Sequence, residues 1–255
     1  MDAKLTIVDV TGSTNDDLLE AGKQGAPHGT GLAARAQTAG RGRRGHKWDS
    51  TAGNLLLSIV LRPCVNPAKY SGLAAVSGLA VLEALEKQGL ANEIGLKWPN
   101  DLVARGRKLG GILVEAARDN EGKPFAVCGI GVNVNYAPQE VPDGGLPAIG
   151  LSDLNENVPA VDMLLDEVYH AVIDAIVPGQ NASTPWKKTP DRSRPSTANM
   201  SLTSIGLEST LSPAPLPVTS WREASLKRSM ALVVRASKQK TACDPSILRK
   251  RHCAP

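Results

Sequence analysis

The chain has 255 residues, enough for one large domain or a medium domain with an appendage, since folded units run to roughly 100–200 residues. With 42% hydrophobic residues and a single Phe its core must be aliphatic, and no apolar run approaches the roughly 20 residues that cross a bilayer, so a membrane role is excluded. The net charge of +4 joins two unlike parts: residues 1 to 177 carry 16 basic and 21 acidic groups, residues 178 to 255 carry 13 and 4. The positive excess therefore belongs to the last part and is not a nucleic-acid footprint of the whole chain. The opening MDAKLTIVDV lacks the basic-then-apolar order of a secretory signal, so the expected location is the cytoplasm. Cys64, Cys128, Cys243 and Cys253 have neither CxxC nor disulfide-framework spacing and read as free thiols.

Leu5 to Val10 alternates apolar and polar residues and predicts a strand. In the following TGSTNDDLLEAG, Ser13 or Thr14 caps a short helix ending near Gly22, with Asp16 and Asp17 in capping-box positions. Residues 30 to 36 and 54 to 61 predict strands, and GRGRRG between them a mobile loop. Between a Pro start and a Gly stop, residues 67 to 88 predict a helix with Leu73, Val76, Leu79, Ala80, Leu82 and Leu85 on its apolar face. Three strands follow, at 94 to 98, 109 to 116 and 125 to 133; the turns at 105 to 107 and 120 to 122 are short enough to require antiparallel neighbours. A closing helix at 160 to 176 presents Val161, Leu164, Leu165, Val168, Val172, Ala175 and Ile176. The expected fold is α+β, a mixed, largely antiparallel sheet flanked by helices.

After Val177 the texture changes: residues 178 to 255 hold 9 of the 18 prolines, 2 of the 24 glycines and 19 Ser or Thr. Such a segment buries too little apolar surface to offset its chain entropy and is expected to be largely disordered.

Four stretches carry the chemistry: GSTN at 12 to 15, QTAGRGRRGHKW at 37 to 48, KWPND at 97 to 101 with KLGGILVE at 108 to 115, and GIGVNVN at 129 to 135. Their glycines admit close backbone approach to a ligand, and the interleaved Arg and Lys supply charge-assisted donors for phosphate oxygens. GRGRRG lacks the GK[ST] ending of a phosphate-binding P-loop and does not fit GxGxxG before a helix. By itself it reads equally as a solvated basic loop; KWPND by itself is a strand end with a turn, and Lys108 surface charge.

In this order and spacing the motifs closely resemble the catalytic domain of biotin protein ligases, over about residues 5 to 177. The resemblance implies a class II synthetase-like biotin/lipoate ligase fold. It also implies ATP-dependent formation of biotinyl-5′-adenylate, with Mg²⁺, and transfer of biotin to a lysine of a biotin carboxyl carrier domain. By the same resemblance Ser13, Thr14, Asn15 and Gln37 hydrogen-bond the ureido ring of biotin, while Leu113 and Ile130 line its apolar part. Arg41, Gly42 and Arg43 match the loop that folds over the intermediate, with Arg43 or Arg41 balancing the α-phosphate. Lys97 matches the lysine that contacts biotin carboxylate and phosphate, so Lys97 and Arg43 are the expected catalytic pair. Trp48 and Asn133 fall at the adenine, Lys108 at a second phosphate contact, and Asn100 and Asp101 either position Mg²⁺ or serve the turn.

Two departures from the family are expected. Only about a dozen residues precede GSTN, too few for the DNA-binding winged helix of some relatives. Residues 178 to 255 do not resemble the small C-terminal β-barrel of the family; a frameshift near codon 178, or a replaced tail, accounts for their composition. The competing functions are a non-specific nucleic-acid binder using the basic loop and tail, and a lipoate or octanoyl ligase of the same fold.

Overall fold

The structure, a computed structural model, describes residues 4–90, 93–139 and 145–176. The readings made for residues 178 to 255 lie outside the described residues.

Among the described residues seven strands, β1 (Leu5–Thr11), β2 (Gly31–Gln37), β3 (Leu55–Leu61), β4 (Ile94–Lys97), β5 (Asp101–Ala104), β6 (Arg107–Arg118) and β7 (Pro124–Val132), form one sheet in the order β1-β2-β3-β7-β6-β5-β4. Only β1 and β2 run parallel, joined through helix α1 (Thr14–Lys23); every other neighbouring pair is antiparallel. The mixed, largely antiparallel sheet is the one expected. Its β5 is not: the chain turns twice between β4 and β6, first at Trp98–Asn100 and then at Arg105–Gly106. Both residues of the second turn have positive φ, 48° and 71°, the backbone of a two-residue hairpin of type I′, which glycine accommodates at its second position.

Helices α2 (Leu73–Lys87) and α3 (Val161–Ala175) pack together and cover one face of the sheet. The helix expected to start at Pro67 begins instead as a 3-10 turn, Pro67–Gly72, capped by Asn66, whose Oδ1 accepts from the Ala68 N–H at 2.9 Å. In α2 the contact face is wider than predicted: Ser77, Val81 and Ala84 are buried, whereas Val76 and Leu79 are partly so. Small residues bring the helix close to the sheet; a Cβ on Gly78 would stand 2.7 Å from Leu96. In α3 Tyr169 joins the predicted face, donating its hydroxyl to Gly29 O at 2.8 Å, and Ala175 lies outside it.

Side-chain alternation then sorts the central strands. Leu55, Leu57, Ile59 and Leu61 of β3, with Ala126, Cys128, Ile130 and Val132 of β7, face α2 and α3. The opposite face holds Val60, Phe125 and Val127 beneath Leu18 of α1, and beyond α1 it opens into a cleft. A Cβ on Gly22 would collide with the Phe125 ring, so that glycine sets how closely α1 seats on the sheet.

Candidate active site

The cleft holds about 1130 Å³, somewhat above the roughly 300–1,000 Å³ usual for a small-molecule site. Its floor follows from strand register: Leu56, Gly131 and Gly111 lie in one row across β3, β7 and β6, and Ser58, Gly129 and Leu113 in the next. The absent side chains make room for others. Asn15 of α1 sits where a Gly129 Cβ would be, and the Trp48 indole lies on Gly131, where a Cβ would come within 2.5 Å of its ring. Leu113 and Ile130, expected to line an apolar channel, both border the cleft, but Ile130 carries the opposite strand parity and its side chain packs into the α2/α3 core.

At the α1 end the polar side chains form one continuous chain. Ser13 caps the helix, accepting from the Asp16 N–H at 3.4 Å. Asp17, expected in the capping box, accepts instead from the Thr11 hydroxyl at 2.5 Å. Gln37 Oε1 accepts from the Thr14 N–H at 2.7 Å and from the Thr14 hydroxyl at 3.0 Å; its Nε2 donates to Ser50 at 2.8 Å. Ser58 lies 2.8 Å from the Thr14 hydroxyl and donates to Asn15 Oδ1 at 2.6 Å, and Asn15 Nδ2 donates to Glu115 at 2.8 Å. Ser58 is fully buried in a central strand; stripped of these partners its hydroxyl would cost about 1–3 kcal/mol.

The segment after Gly40 is a small hairpin rather than an open loop. Gly42 N–H donates to His46 O at 2.7 Å, Trp48 N–H to Gly40 O at 3.0 Å, and Arg41 pairs with Lys47 in an isolated antiparallel bridge. Arg44 (φ 56°) and Gly45 (φ 78°) make its tip. Both expected arginines hold side-chain partners. Arg41 forms a two-pronged pair with Glu115, at 3.0 and 2.6 Å, and meets Asp16 at 2.6 Å. Burial opposes its charge, but the hydrogen bonds and charges of Glu115 and Asp16 outweigh that and raise its pKa above the usual guanidinium value. Arg43 instead donates to the side-chain oxygen of Asn100, a neutral group.

Lys97, at the end of β4, lines the cleft and has no ion-pair partner among the described residues. Lys108 pairs with Asp101 at 2.9 Å and stands 5.8 Å from the centre of the Trp48 ring. Trp48 Nε1 is buried without an acceptor among the described residues. Asn133 is buried and donates its amide to Lys108 O at 3.4 Å and Ile149 O at 3.2 Å, so any ligand contact would fall to its carbonyl oxygen. All eleven predicted site residues thus border this one cleft.

Sequence reasoning missed Ser58, Glu115 and Asn54. The first two each stand as the single polar residue of an apolar strand run, LLLSIVL and GGILVE, which was the available signal. Asn54 Oδ1 accepts from Val134 N at 2.9 Å and Tyr136 N at 3.2 Å and so holds the GIGVNVN segment against the start of β3. No group of three His, Cys, Asp or Glu side chains suited to a metal ion occurs among the described residues. A second hollow of about 350 Å³ beside Gln88 is lined by Asp162, Asp166 and Glu167 and holds none of the predicted residues.

The sequence model of the biotin/lipoate A/B protein ligase family matches residues 7–135. The chain belongs to that family. Among its relatives is the biotin--[acetyl-CoA-carboxylase] ligase of Mycobacterium tuberculosis, 41% identical over 186 residues, which cover 71% of this chain and 66% of the relative. The chain thus spans just under two thirds of that relative's length. Among solved structures, the family fold recurs in the Aquifex aeolicus biotin protein ligase bound to biotin and ATP (TM-score 0.56, 32% identity, 68% of this chain and 70% of that one). It recurs also in the Leishmania major biotin protein ligase bound to biotinyl-5-AMP (TM-score 0.58, 26% identity, 68% and 75%). The matched segment contains GSTN, GRGRRG, KWPND, KLGGILVE and GIGVNVN, and so every residue of the cleft named above except Ile149 and Tyr136.

Proposed function

We propose that this chain activates biotin with ATP to biotinyl-5′-adenylate and transfers the biotin to a lysine of a biotin carboxyl carrier domain. The observation that carries the reading is the polarity of the cleft. Hydroxyls and amides (Ser13, Thr14, Asn15, Gln37, Ser58) line the cleft beside α1, and Lys97, Arg43 and Lys108, the last beside the Trp48 indole, also line it, over a glycine floor. A urea ring offers one acceptor and two donors, which such hydroxyls and amides satisfy without charge.

The first step joins two anions, as the biotin carboxylate oxygen attacks the α-phosphorus and pyrophosphate leaves. Lys97 and Arg43 lower the barrier by holding both negative groups in a fixed field, and among the described residues neither holds a carboxylate partner that must first be displaced. Trp48 offers a flat face to adenine and a buried N–H in search of an acceptor. Asn100 and Asp101 are engaged by Arg43 and Lys108, and so make no ready cage for Mg²⁺. Mg²⁺, if bound, would be held mainly by the ATP phosphates and would offset their charge.

The test is transfer itself. With ATP and biotin, a purified carboxyl carrier domain gains the mass of one biotin on one lysine, and omission of ATP abolishes the gain. Equal or better labelling with lipoate assigns the chain to the other branch of the family, and no labelling with either defeats the reading.

A further inference from the structure

Glu115 lies between two parts of the site that the mechanism treats separately. Its Oε1 accepts from Arg41 Nη1 at 3.0 Å; its Oε2 accepts from Arg41 Nη2 at 2.6 Å and from Asn15 Nδ2 at 2.8 Å. An ionised carboxylate only accepts, so it forces the Asn15 NH2 to face it and the Asn15 oxygen to face Ser58. Ser58, with one hydrogen, must then give it to Asn15, at 2.6 Å, while Thr14 gives its own hydroxyl hydrogen to Gln37 Oε1 at 3.0 Å. The direction of the Asn15–Ser58 link is therefore set from Glu115.

The same carboxylate divides the labour of the two loop arginines. Arg41 faces Glu115 and Asp16 together, a cluster of net charge −1, so it cannot serve an anion without losing two pairs. Arg43 faces only the neutral Asn100 oxygen and keeps its whole charge for a ligand. With Arg41 tied down two residues away, the hairpin that carries Arg43 is moored to β6 at its base.

We propose that Glu115 is a positioning residue: it moors the 40–47 hairpin through Arg41 and orients the pocket amide of Asn15, leaving Arg43 as the arginine of that loop that meets phosphate. The mooring stands independently of the ligand, while the effect of the amide on biotin rests on the function proposed above.

The experiment is Glu115→Gln in the full chain, with two readouts. Without ligand, tryptic cleavage after Arg41, Arg43, Arg44 and Lys47, mapped by mass spectrometry, should accelerate about 10-fold while cleavage elsewhere keeps its rate, because the carboxylate that grips the guanidinium is gone. By calorimetry, the Kd for biotin should rise about 10-fold or more. It should recover most of that loss in the double variant Asn15→Asp/Glu115→Gln, where the amide donates and the carboxylate accepts, so an oxygen still faces Ser58.

Hairpin cleavage within two-fold of wild type overturns the mooring. Lost biotin affinity that the double variant fails to restore overturns the orienting role, since a merely structural residue gives that result. Wild-type protein that binds no biotin defeats the proposed function, and the cleavage arm still decides the mooring. Should Glu115→Gln fail to fold by circular dichroism, Arg41→Met removes the pair from the surface side. It must speed cleavage after Arg43, Arg44 and Lys47 alike, and unchanged rates there overturn the proposal.

Discussion

The two faces of the central strands obey different rules although they are made by alternate residues of the same segments. Toward α2 and α3, β3 presents Leu55, Leu57, Ile59 and Leu61, all fully buried among aliphatic neighbours. Toward the cleft the same strand presents Leu56 and Ser58, with Val60 on the same side beneath α1, and β7 presents Gly129 and Gly131 beside them. One face fills its space with its own side chains. The other leaves space over glycines and fills it with groups delivered from α1 and the 40–48 hairpin, so its interactions are polar, directional and exchangeable for a ligand.

If that division is right, substitutions on the two faces separate stability from chemistry. The largest effect on folding belongs to the closed face. Leu85→Ala removes a fully buried side chain between α2 and the sheet and should lower the unfolding free energy by about 2–5 kcal/mol, with pyrophosphate release per folded molecule unchanged. Denaturant unfolding and an assay normalised to folded protein check both halves. A cleft substitution should do the reverse: Lys97→Ala should cut pyrophosphate release by about 10²-fold, the scale of one preorganised cation, and leave the unfolding midpoint within a few degrees. Release within a few-fold of wild type removes Lys97 from the mechanism.

A subtler probe adds a methyl group to the floor. The Cβ of Gly131→Ala would stand 2.5 Å from Trp48, so the indole must move, and ATP affinity should fall about 10-fold while stability changes by less than the roughly 1–3 kcal/mol of an overpacked core. Unchanged ATP affinity would place the nucleotide away from Trp48. The smallest effect concerns the junction of both faces, where Arg62 pairs with the half-buried Asp119 at 2.7 Å and joins the end of β3 to the β6–β7 turn. Burial alone would raise the Asp119 pKa, but the Arg62 hydrogen bond and charge and the N–H groups of Lys123 and Glu121 outweigh it and hold it below the ordinary value. Its stabilisation is therefore complete above about pH 3.9 and is lost as the pH falls through the lowered folded value. Thermal melts from pH 6 down to 2 should fall more gently for Asp119→Asn than for wild type. Parallel curves would mean that the pair adds nothing.

Periodicity exposed the closed face well, because a face filled by its own strand writes its pattern into that strand. The apolar run in NLLLSIVL and, Val161 and Ala175 apart, the helical spacing in 160 to 176 both mark residues that are buried in the structure. β5 stayed hidden because four residues between two turns carry too little period to register, and KWPND was read as the end of one strand rather than the bend between two. In the cleft the motifs disclosed the residues that come from glycine-rich loops. They did not disclose the roles of Ser58 and Glu115 or the parity of Ile130, which depend on the register of the β6–β7 hairpin against β3, distant in sequence. Nor did they separate Arg41 from Arg43, a distinction made by Asp16, Glu115 and Asn100 from three other segments.

The central claim is that the neutral and the cationic groups of one cleft act on a single ligand made from two. Pyrophosphate release in a single turnover, with ATP and biotin added together and each added alone, tests this most directly. The account predicts stoichiometric release only when both are present, with a biotin-adenylate recoverable from the protein after quenching. Release with ATP alone, or none with both, would contradict it.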